Sequence, residues 1–165
     1  MIKTPATEMQ ARTVIEKLNL EPHPEGGWYR EIYRSPDCVQ AARGTRSAIT
    51  TIYYLLERAQ ISRWHVVESD EIWHFYEGSP LELLGYDPEA RTLVRRILGN
   101  TGDDHERVAV FRKWVWQAAR SLGEFSLVGC SVGPGFDFED FRFVASLTGH
   151  QVHFEGELAP FATLL

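Results

Sequence analysis

The spacing of apolar residues changes near residue 27, from a helical period to short runs rich in β-branched and aromatic residues. Before this point, apolar residues recur at roughly helical spacing after Thr4 and Pro5, which suit a helix N-cap and first turn. The pattern predicts one helix over about residues 5–18. Residues 21–27 (EPHPEGG) contain two prolines and two glycines, so they predict a loop.

The rest of the chain predicts ten short strands separated by turn-forming residues. The predicted strands are 28–34, 48–56, 63–67, 71–78, 81–87, 92–98, 107–111, 115–120, 125–132 and 141–147. Ten short strands after one helix predict an all-β fold, an antiparallel sandwich or barrel over about residues 27–147 within a single domain, 1–165. In the tail, 148–165, the apolar spacing allows a short helix after Gly156.

The predicted strand 48–56 is apolar on both faces, because it carries Ile49, Ile52 and the run Tyr53 to Leu56. In an antiparallel protein, this pattern means that the outer face is covered as well. A second sheet or a partner subunit must cover it. Since a small monomer rarely leaves such a surface in water, we expect a homodimer.

Composition and charge narrow the range of partners. The net charge of -6 disfavours nucleic acids and anionic membranes, so we expect a small-molecule ligand. The two cysteines, Cys38 and Cys130, lie far apart without CxxC spacing, which excludes a disulfide framework and a thiolate metal site. No signal-peptide pattern or long apolar run is present, so we expect a cytoplasmic protein.

Residues 62–78 (SRWHVVESDEIWHFYEG) hold the densest group of candidate chemistry. His65 precedes Glu71 by six positions, and six residues separate Glu71 from Gly78. This spacing resembles the first motif of the cupin superfamily, which reads His, any residue, His, three or four residues, Glu, six residues, Gly. Val67 stands where that motif has its second histidine.

The second cupin motif, Pro, any, Gly, any two, His, falls on Arg112, Trp114 and Gln117, with Gln117 at the ligand position. The metal-ligand set that the resemblance implies is therefore His65, Glu71 and Gln117. Because a neutral amide oxygen is a poor ligand for iron, manganese or zinc, we expect no metal and no other cofactor.

Four segments resemble more specifically a family of uncharacterised cupin-fold proteins of the cupin 5 type. The segments are EPHPEGGWYRE (21–31), SDEIWHFYEG (69–78), WQAAR (116–120) and GFDFEDF (135–141). The resemblance implies a single cupin jelly-roll β-barrel with an N-terminal helix, similar in fold to sugar-nucleotide epimerases and seed storage proteins. It brings no settled activity. At residues 112–114 the chain reads Arg-Lys-Trp where the family usually reads Pro-Ala-Gly.

His65 has two interpretations. In the first, it belongs to a buried polar network and serves the structure. In the second, it is a general base whose tautomer and charge are set by Glu71 or Asp70, with Tyr53 as the acid across the pocket. A histidine and carboxylate pair of this kind suits proton removal next to a carbonyl, which the resemblance to the sugar epimerases of the superfamily also implies.

We expect several large or polar side chains to bind the ligand. They are Trp73, Phe75, Trp116, Gln117 and Ser62. Gln117 should point inward and hydrogen-bond the ligand or Glu71, since a buried amide without a partner is costly. His74 falls on the strand face opposite Glu71, and Cys130 is interpreted as a small core residue. The loop 21–27 could line the mouth of the pocket and present His23, although most such loops only connect, and 133–143 is interpreted as a structural corner.

Three hypotheses for function follow. The first is a small-molecule-binding cupin with metal-independent isomerase or epimerase chemistry on a carbohydrate-like or keto-acid compound. The second is a non-catalytic module that binds a small ligand. The third and weaker one is a metal-dependent cupin oxygenase. The sequence leaves open whether the chain is an enzyme.

Overall fold

The computed structural model describes residues 6–147 and 156–165. Helix α1 spans Ala6–Leu18, and thirteen strands follow in the described residues. They are β1 (Glu21–Pro22), β2 (Trp28–Arg34), β3 (Cys38–Ala41), β4 (Gly44–Ser47), β5 (Thr50–Glu57), β6 (Ile61–Val67), β7 (Asp70–Gly78), β8 (Leu81–Asp87), β9 (Thr92–Leu98), β10 (Val108–Phe111), β11 (Trp116–Ser121), β12 (Phe125–Gly133) and β13 (Phe141–Phe143). Short 3-10 helices occupy Thr101–Asp103, Phe138–Asp140, Val144–Ser146 and Gly156–Leu164. The predicted cap at Thr4 and Pro5 lies outside the described residues.

Two antiparallel sheets form a jelly roll. The six-stranded sheet has the order β1-β2-β5-β12-β7-β10, and the five-stranded sheet has the order β13-β6-β11-β8-β9. Strands β3 and β4 form a separate hairpin. The predicted all-β jelly roll with an N-terminal helix is thereby confirmed.

The main core lies between the two sheets. Tyr54, Trp73 and Phe75 of the six-stranded sheet pack there with Leu81 and Leu83 of the five-stranded sheet. All five side chains are nearly inaccessible to water. Burial of large aliphatic and aromatic groups on this scale is the main stabilising contribution to such a fold.

The outer face of each sheet is covered in part by the chain itself. Helix α1 packs Ala11 on the outer side of the six-stranded sheet, against Leu55 and Leu127. On the other sheet, the 3-10 helix Gly156–Leu164 covers Trp64, whose indole N–H donates to the carbonyl of Phe161 at 3.0 Å. Ile49 and Val110 stay exposed, so one chain explains the two-faced apolar strands only in part, and the homodimer stays a prediction.

The strands that the sequence pattern missed are short and polar. Hairpin β3–β4 consists of CVQA and GTRS, and most of its residues are exposed. Without an apolar face it leaves no alternating pattern to detect. At the other extreme, the predicted strand 141–147 is shorter than expected, because β13 ends at Phe143 and a 3-10 helix follows.

Among the described residues, no helix has the length and the apolar character that crossing a membrane requires.

Candidate functional site

A cavity of about 280 Å³ opens at one end of the jelly roll. Its wall comes from β1, β2, β5, β6, β7 and β12, from the loop between β1 and β2, and from residues 136–141. Its volume lies just below the range of roughly 300–1,000 Å³ that is typical of ligand sites. The polar groups that bear on its chemistry come from His23, Glu25, Tyr54, His65, Glu71 and Cys130.

His65 projects into this cavity from β6 and is only 2% exposed. Its Nδ1 lies 2.8 Å from the carbonyl oxygen of Arg63. Because a carbonyl oxygen only accepts, Nδ1 carries the proton and the neutral ring has its lone pair at Nε2. In the part of the chain that the structure describes, Nε2 has no hydrogen-bond partner. The ring stacks on Phe141 at a centroid distance of 5.3 Å.

The loop 23–27 brings Glu25 beside His65. Gly26 and Gly27 both have positive φ angles, and a Cβ on Gly26 would lie 2.0 Å from the carbonyl oxygen of Ile61. Only glycine allows the loop to approach β6 this closely. The backbone N–H of Arg63 donates to the carbonyl of Glu25 at 3.1 Å, which fixes the loop on β6.

The carboxylate of Glu25 is buried and held in place. Its Oε1 accepts a hydrogen bond from the Ser62 hydroxyl at 2.9 Å, and its Oε2 lies 3.4 Å from Nδ1 of His65. The Glu25 carboxylate therefore faces the Nδ1 side of the His65 ring. Ser62 therefore positions Glu25 and does not itself line the cavity.

His23 lies on the other side of Glu25 and has the opposite tautomer. Its Nδ1 accepts from the backbone N–H of Glu25 at 3.2 Å, so its proton is on Nε2. Burial lowers the pKa of His23, against the opposing effect of Glu25, and the charge of His65 lowers it further. The neutral ring of His23 can therefore donate through Nε2–H, next to His65, which can accept at Nε2.

Glu71 enters the cavity from β7 and takes part in a chain of hydrogen bonds. Its Oε2 accepts from the amide nitrogen of Gln117 at 3.1 Å, and the amide oxygen of Gln117 accepts from the indole N–H of Trp73 at 2.9 Å. Burial raises the pKa of Glu71 to about 7, with Glu25 raising it and His65 and Gln117 lowering it. Glu71 can therefore donate or accept a proton near neutral pH.

Tyr54 and Cys130 complete the inner wall. The Tyr54 hydroxyl donates to the carbonyl of Gly26 at 2.8 Å, and burial raises the pKa of this phenol well above its usual value. Cys130, interpreted from sequence as a small core residue, is buried and lines the cavity. Burial, followed by the charges of Glu71 and Glu25, raises the pKa of its thiol. The thiol is therefore not an activated nucleophile.

Residues 136–141 cover the mouth of the cavity, so this segment is more than the structural corner expected. Phe136, Phe138 and Phe141 all line the cavity. A buried, two-pronged ion pair from Arg46 of the β3–β4 hairpin to Asp140 holds the segment, at 2.8 and 3.0 Å. The hairpin that the sequence pattern missed thus supports the cavity wall.

Several residues expected at the site lie elsewhere. Tyr53, expected as the acid, faces outward and packs with the α1 cluster, while its neighbour Tyr54 lines the cavity. Trp116 faces the outer cluster and contacts Tyr86, because it alternates with the inward-facing Gln117. Trp73 shares the inward face of β7 with Glu71 but lies deeper, in the main core.

Phe75 also lies in the main core and not in the cavity wall. Of the expected residues, His65 and Glu71 line the cavity, and Gln117 and Ser62 hold its carboxylates. His74 is on the face of β7 away from Glu71, as the alternation predicts.

The residues that the sequence reasoning missed are Glu25 and Tyr54, while a place for His23 at the mouth was the less favoured interpretation of its loop. The available signal was the Pro-Glu-Gly-Gly step in residues 24–27, since two consecutive glycines indicate close backbone approach. Tyr54 had no such signal, because both faces of its strand are apolar.

The side chains do not fit the metal set His65, Glu71 and Gln117. An indole N–H can only donate, so the amide oxygen of Gln117 must face Trp73 and its NH₂ group must face Glu71. That leaves no amide oxygen for a metal beside Glu71. No group of three His, Cys, Asp or Glu side chains among the described residues has metal-binding geometry.

Comparison with known families agrees with this fold. The model of one family of the cupin superfamily, DUF985, matches residues 12–144. The chain belongs to this cupin family. The resemblance that the four sequence segments carry is thereby confirmed.

Solved structures show the same relationship. A hypothetical protein from Leishmania major is 33% identical with a TM-score of 0.73, over 80% of this chain and 85% of that protein. A protein from Shewanella oneidensis is 34% identical with a TM-score of 0.74, over 81% of this cupin and 83% of that protein.

Oxalate decarboxylase from Bacillus subtilis is more distant, with 13% identity and a TM-score of 0.57 over 74% of this chain and 29% of that one. This likeness concerns the cupin fold alone. A search of curated proteins finds no match to this cupin.

Proposed function

We propose that this cupin is a metal-independent isomerase or epimerase that moves a proton next to the carbonyl group of a small carbohydrate-like or keto-acid compound. His65 is the general base. The observation that carries the proposal is the unpartnered Nε2 of a buried histidine at a cavity, with the Glu25 carboxylate 3.4 Å from Nδ1 of the same ring. Such a pair is built to take up a proton.

In the proposed reaction, Nε2 of His65 takes the proton from the carbon next to the carbonyl. The electron pair of the broken C–H bond moves to the carbonyl oxygen and gives an enediolate. Glu25 stabilises the imidazolium that forms, because a negative charge 3.4 Å away lowers its free energy. For an isomerisation, a proton returns to the former carbonyl carbon, the oxygen on that carbon gains a proton, and the hydroxyl on the deprotonated carbon loses one to become the new carbonyl. For an epimerisation, a proton is delivered to the opposite face of the same carbon and the original carbonyl forms again.

Two groups can supply hydrogen bonds or protons to the enediolate. The Nε2–H of neutral His23 can donate to the developing oxyanion. Glu71, whose pKa burial raises to about 7, can hold a proton near neutral pH and donate it. These groups take the role that the sequence analysis gave to Tyr53.

Hydrogen–deuterium exchange into a carbonyl compound tests the proposal. Glucose, fructose and pyruvate are incubated in D₂O with the protein, and loss of the C–H signal next to the carbonyl is followed by proton NMR. We expect exchange with at least one of them, and we expect His65→Gln to slow it by roughly 10²–10⁴-fold. His74→Gln is the matched control, since His74 lies on the opposite face of β7, and it should keep the wild-type rate.

A non-catalytic ligand-binding module is the second candidate. The ring of His65, the carboxylate of Glu25 and the hydroxyl of Ser62 form a buried network of the kind that also serves structure alone. If a carbonyl compound shifts the melting temperature or binds by NMR while the wild type shows no exchange, this candidate replaces the first.

A metal-dependent oxygenase is the weakest candidate, because Gln117 turns its NH₂ group toward Glu71. Elemental analysis of protein purified without added metal distinguishes it. Stoichiometric iron, manganese or nickel would overturn the metal-independent mechanism.

A further inference from the structure

The charged groups of the cavity are mostly anionic. Five carboxylates line it, those of Glu21, Glu25, Glu31, Glu71 and Asp137, against one guanidinium, that of Arg34. Even without Glu71, four carboxylates face one guanidinium, so the wall carries an excess of negative charge. A cavity of low dielectric strengthens this field, so it attracts cations and repels anions.

Arg34, the one cation of the wall, already has partners. Its Nε and one terminal nitrogen donate to the two carboxylate oxygens of Glu31 at 3.0 and 2.7 Å. Its terminal nitrogens also donate to the carbonyl oxygen of Phe136 at 3.2 and 3.1 Å. A carboxylate or phosphate ligand that approaches Arg34 competes with Glu31, whose negative charge offsets that of the guanidinium.

The unsatisfied group deep in the cavity is an acceptor. Nε2 of His65 has a lone pair and, within the described ranges of the chain, no donor. The residue is 2% exposed, and Nε2 is not among the fully buried unpartnered atoms of the described residues, so it is reached from the cavity. A ligand N–H or O–H group can donate to this lone pair, which in a reactive pose faces the C–H bond instead.

Aromatic side chains lie at the mouth of the cavity. Phe138 is 53% exposed there and stacks on His23 at a centroid distance of 6.3 Å, and Tyr29 and Phe136 lie beside them. Aromatic faces attract ammonium groups through the ring quadrupole. The volume of about 280 Å³ suits one sugar ring better than a sugar nucleotide.

We propose that the cavity selects a small hydroxylated amine in its protonated form, an amino-sugar-like cation, and discriminates against carboxylates and phosphates. This inference rests on the proposed function, because it names the substrate class of the same cavity. Among the carbonyl compounds considered above, it favours amino sugars and neutral sugars over keto acids. The ammonium group binds the carboxylates, and a hydroxyl donates to Glu25 while Nε2 of His65 faces the reacting C–H bond.

Three hexoses of the same ring skeleton but different charge test the inference. Binding of glucosamine, glucose and glucuronic acid to the full-length protein is measured by isothermal titration calorimetry or ligand-observed NMR at neutral pH. We expect a Kd for glucosamine that is lower than that for glucuronic acid by roughly tenfold or more. Added salt should narrow the difference, because it screens charges at the mouth.

A charge-removing variant with a matched control makes the test specific. Glu31→Gln removes one carboxylate and frees Arg34, so it should reduce the preference for glucosamine over glucuronic acid at least threefold. Glu89→Gln removes the same charge from the turn between β8 and β9, which contributes no residue to the cavity, and should leave the preference unchanged.

Equal or tighter binding of glucuronic acid, or no binding of any of the three sugars, would overturn the inference. Both outcomes are distinct from failure of the proposed function. Binding is measured without turnover, so glucosamine that binds but does not exchange its C–H proton supports the ligand class and contradicts only the chemistry.

Discussion

The Oε2 atom of Glu25 lies 3.4 Å from Nδ1 of His65, although the two residues come from a loop and a strand that are 40 positions apart in the chain. Two glycines make this pairing possible, because they let the loop contact the backbone of β6. His23 lies next to this pair. In the neutral rings, Nε2 of His65 accepts a hydrogen bond and the Nε2–H of His23 donates one. Four predictions follow from the contacts around these residues.

Replacing Gly26 with alanine should displace the loop that carries Glu25. The new Cβ would lie 2.0 Å from the carbonyl oxygen of Ile61, at a residue whose φ of 115° an L side chain rarely adopts. We expect a loss of about 3 kcal/mol or more in the free energy of unfolding, measured by urea denaturation.

Gly102→Ala is the control for this change, because no heavy atom lies within 4 Å of its added Cβ. Its free energy of unfolding should stay within about 0.5 kcal/mol of the wild type. A Gly26→Ala protein as stable as the Gly102→Ala protein would contradict the close approach of the loop.

Glu71 should make stability depend on pH. Burial raises its pKa to about 7 from the ordinary value of 4.5, so the folded protein binds more protons than the unfolded chain between these values. This contribution to stability is fully present below about pH 4.5 and is lost as the pH rises through about 7. It amounts to roughly 3 kcal/mol.

Comparison with Glu71→Gln isolates this effect, since the amide has nearly the same shape and does not ionise. The free energy of unfolding of both proteins is measured at about pH 5 and about pH 8. The wild type should lose stability relative to the variant as the pH rises. A difference that is independent of pH would show that the carboxyl group titrates normally.

Removal of the hydroxyl group should have different effects at Tyr54 and at Tyr53. Tyr54→Phe leaves the carbonyl of Gly26 without the donor that now lies 2.8 Å away, and we expect a loss of about 1 kcal/mol in the free energy of unfolding. It should also slow proton exchange, because the Glu25 loop loses an anchor. Tyr53→Phe should leave exchange unchanged, since this ring packs beside α1. Slower exchange in Tyr53→Phe alone would restore Tyr53 as the acid.

Gln117→Leu should remove the link between Trp73 and Glu71. The indole N–H and the carboxyl group then lose their partners at 2.9 and 3.1 Å inside the core. We expect a loss of about 2–4 kcal/mol in thermal or urea denaturation. The pKa of Glu71 should rise further, because the Gln117 hydrogen bond lowers it.

The exposed Gln40 of β3 provides the comparison for this leucine substitution. It accepts one hydrogen bond from Thr45 at the surface, so Gln40→Leu should cost less than about 1 kcal/mol. If the two substitutions cost the same, the amide of Gln117 is not the bridge that its contacts indicate.

The sequence by itself determined the strand pattern, the jelly roll and the two inward-facing residues His65 and Glu71. Period-two alternation is a local property, so it placed Glu71 inward and His74 outward before any tertiary contact was known. The motif spacing then related these positions to the cupin fold, and the family match over residues 12–144 confirmed that relationship.

The tertiary structure alone decided which side of an apolar strand faces the cavity and how deep each side chain lies. Strand β5 is apolar on both faces, so only the packing of α1 on one of them shows that Tyr54, not Tyr53, lies inside. Trp73 and Glu71 share one face of β7, yet alternation says nothing of depth along the strand. Glu25 reaches His65 through a loop contact between distant segments, which no local period can encode.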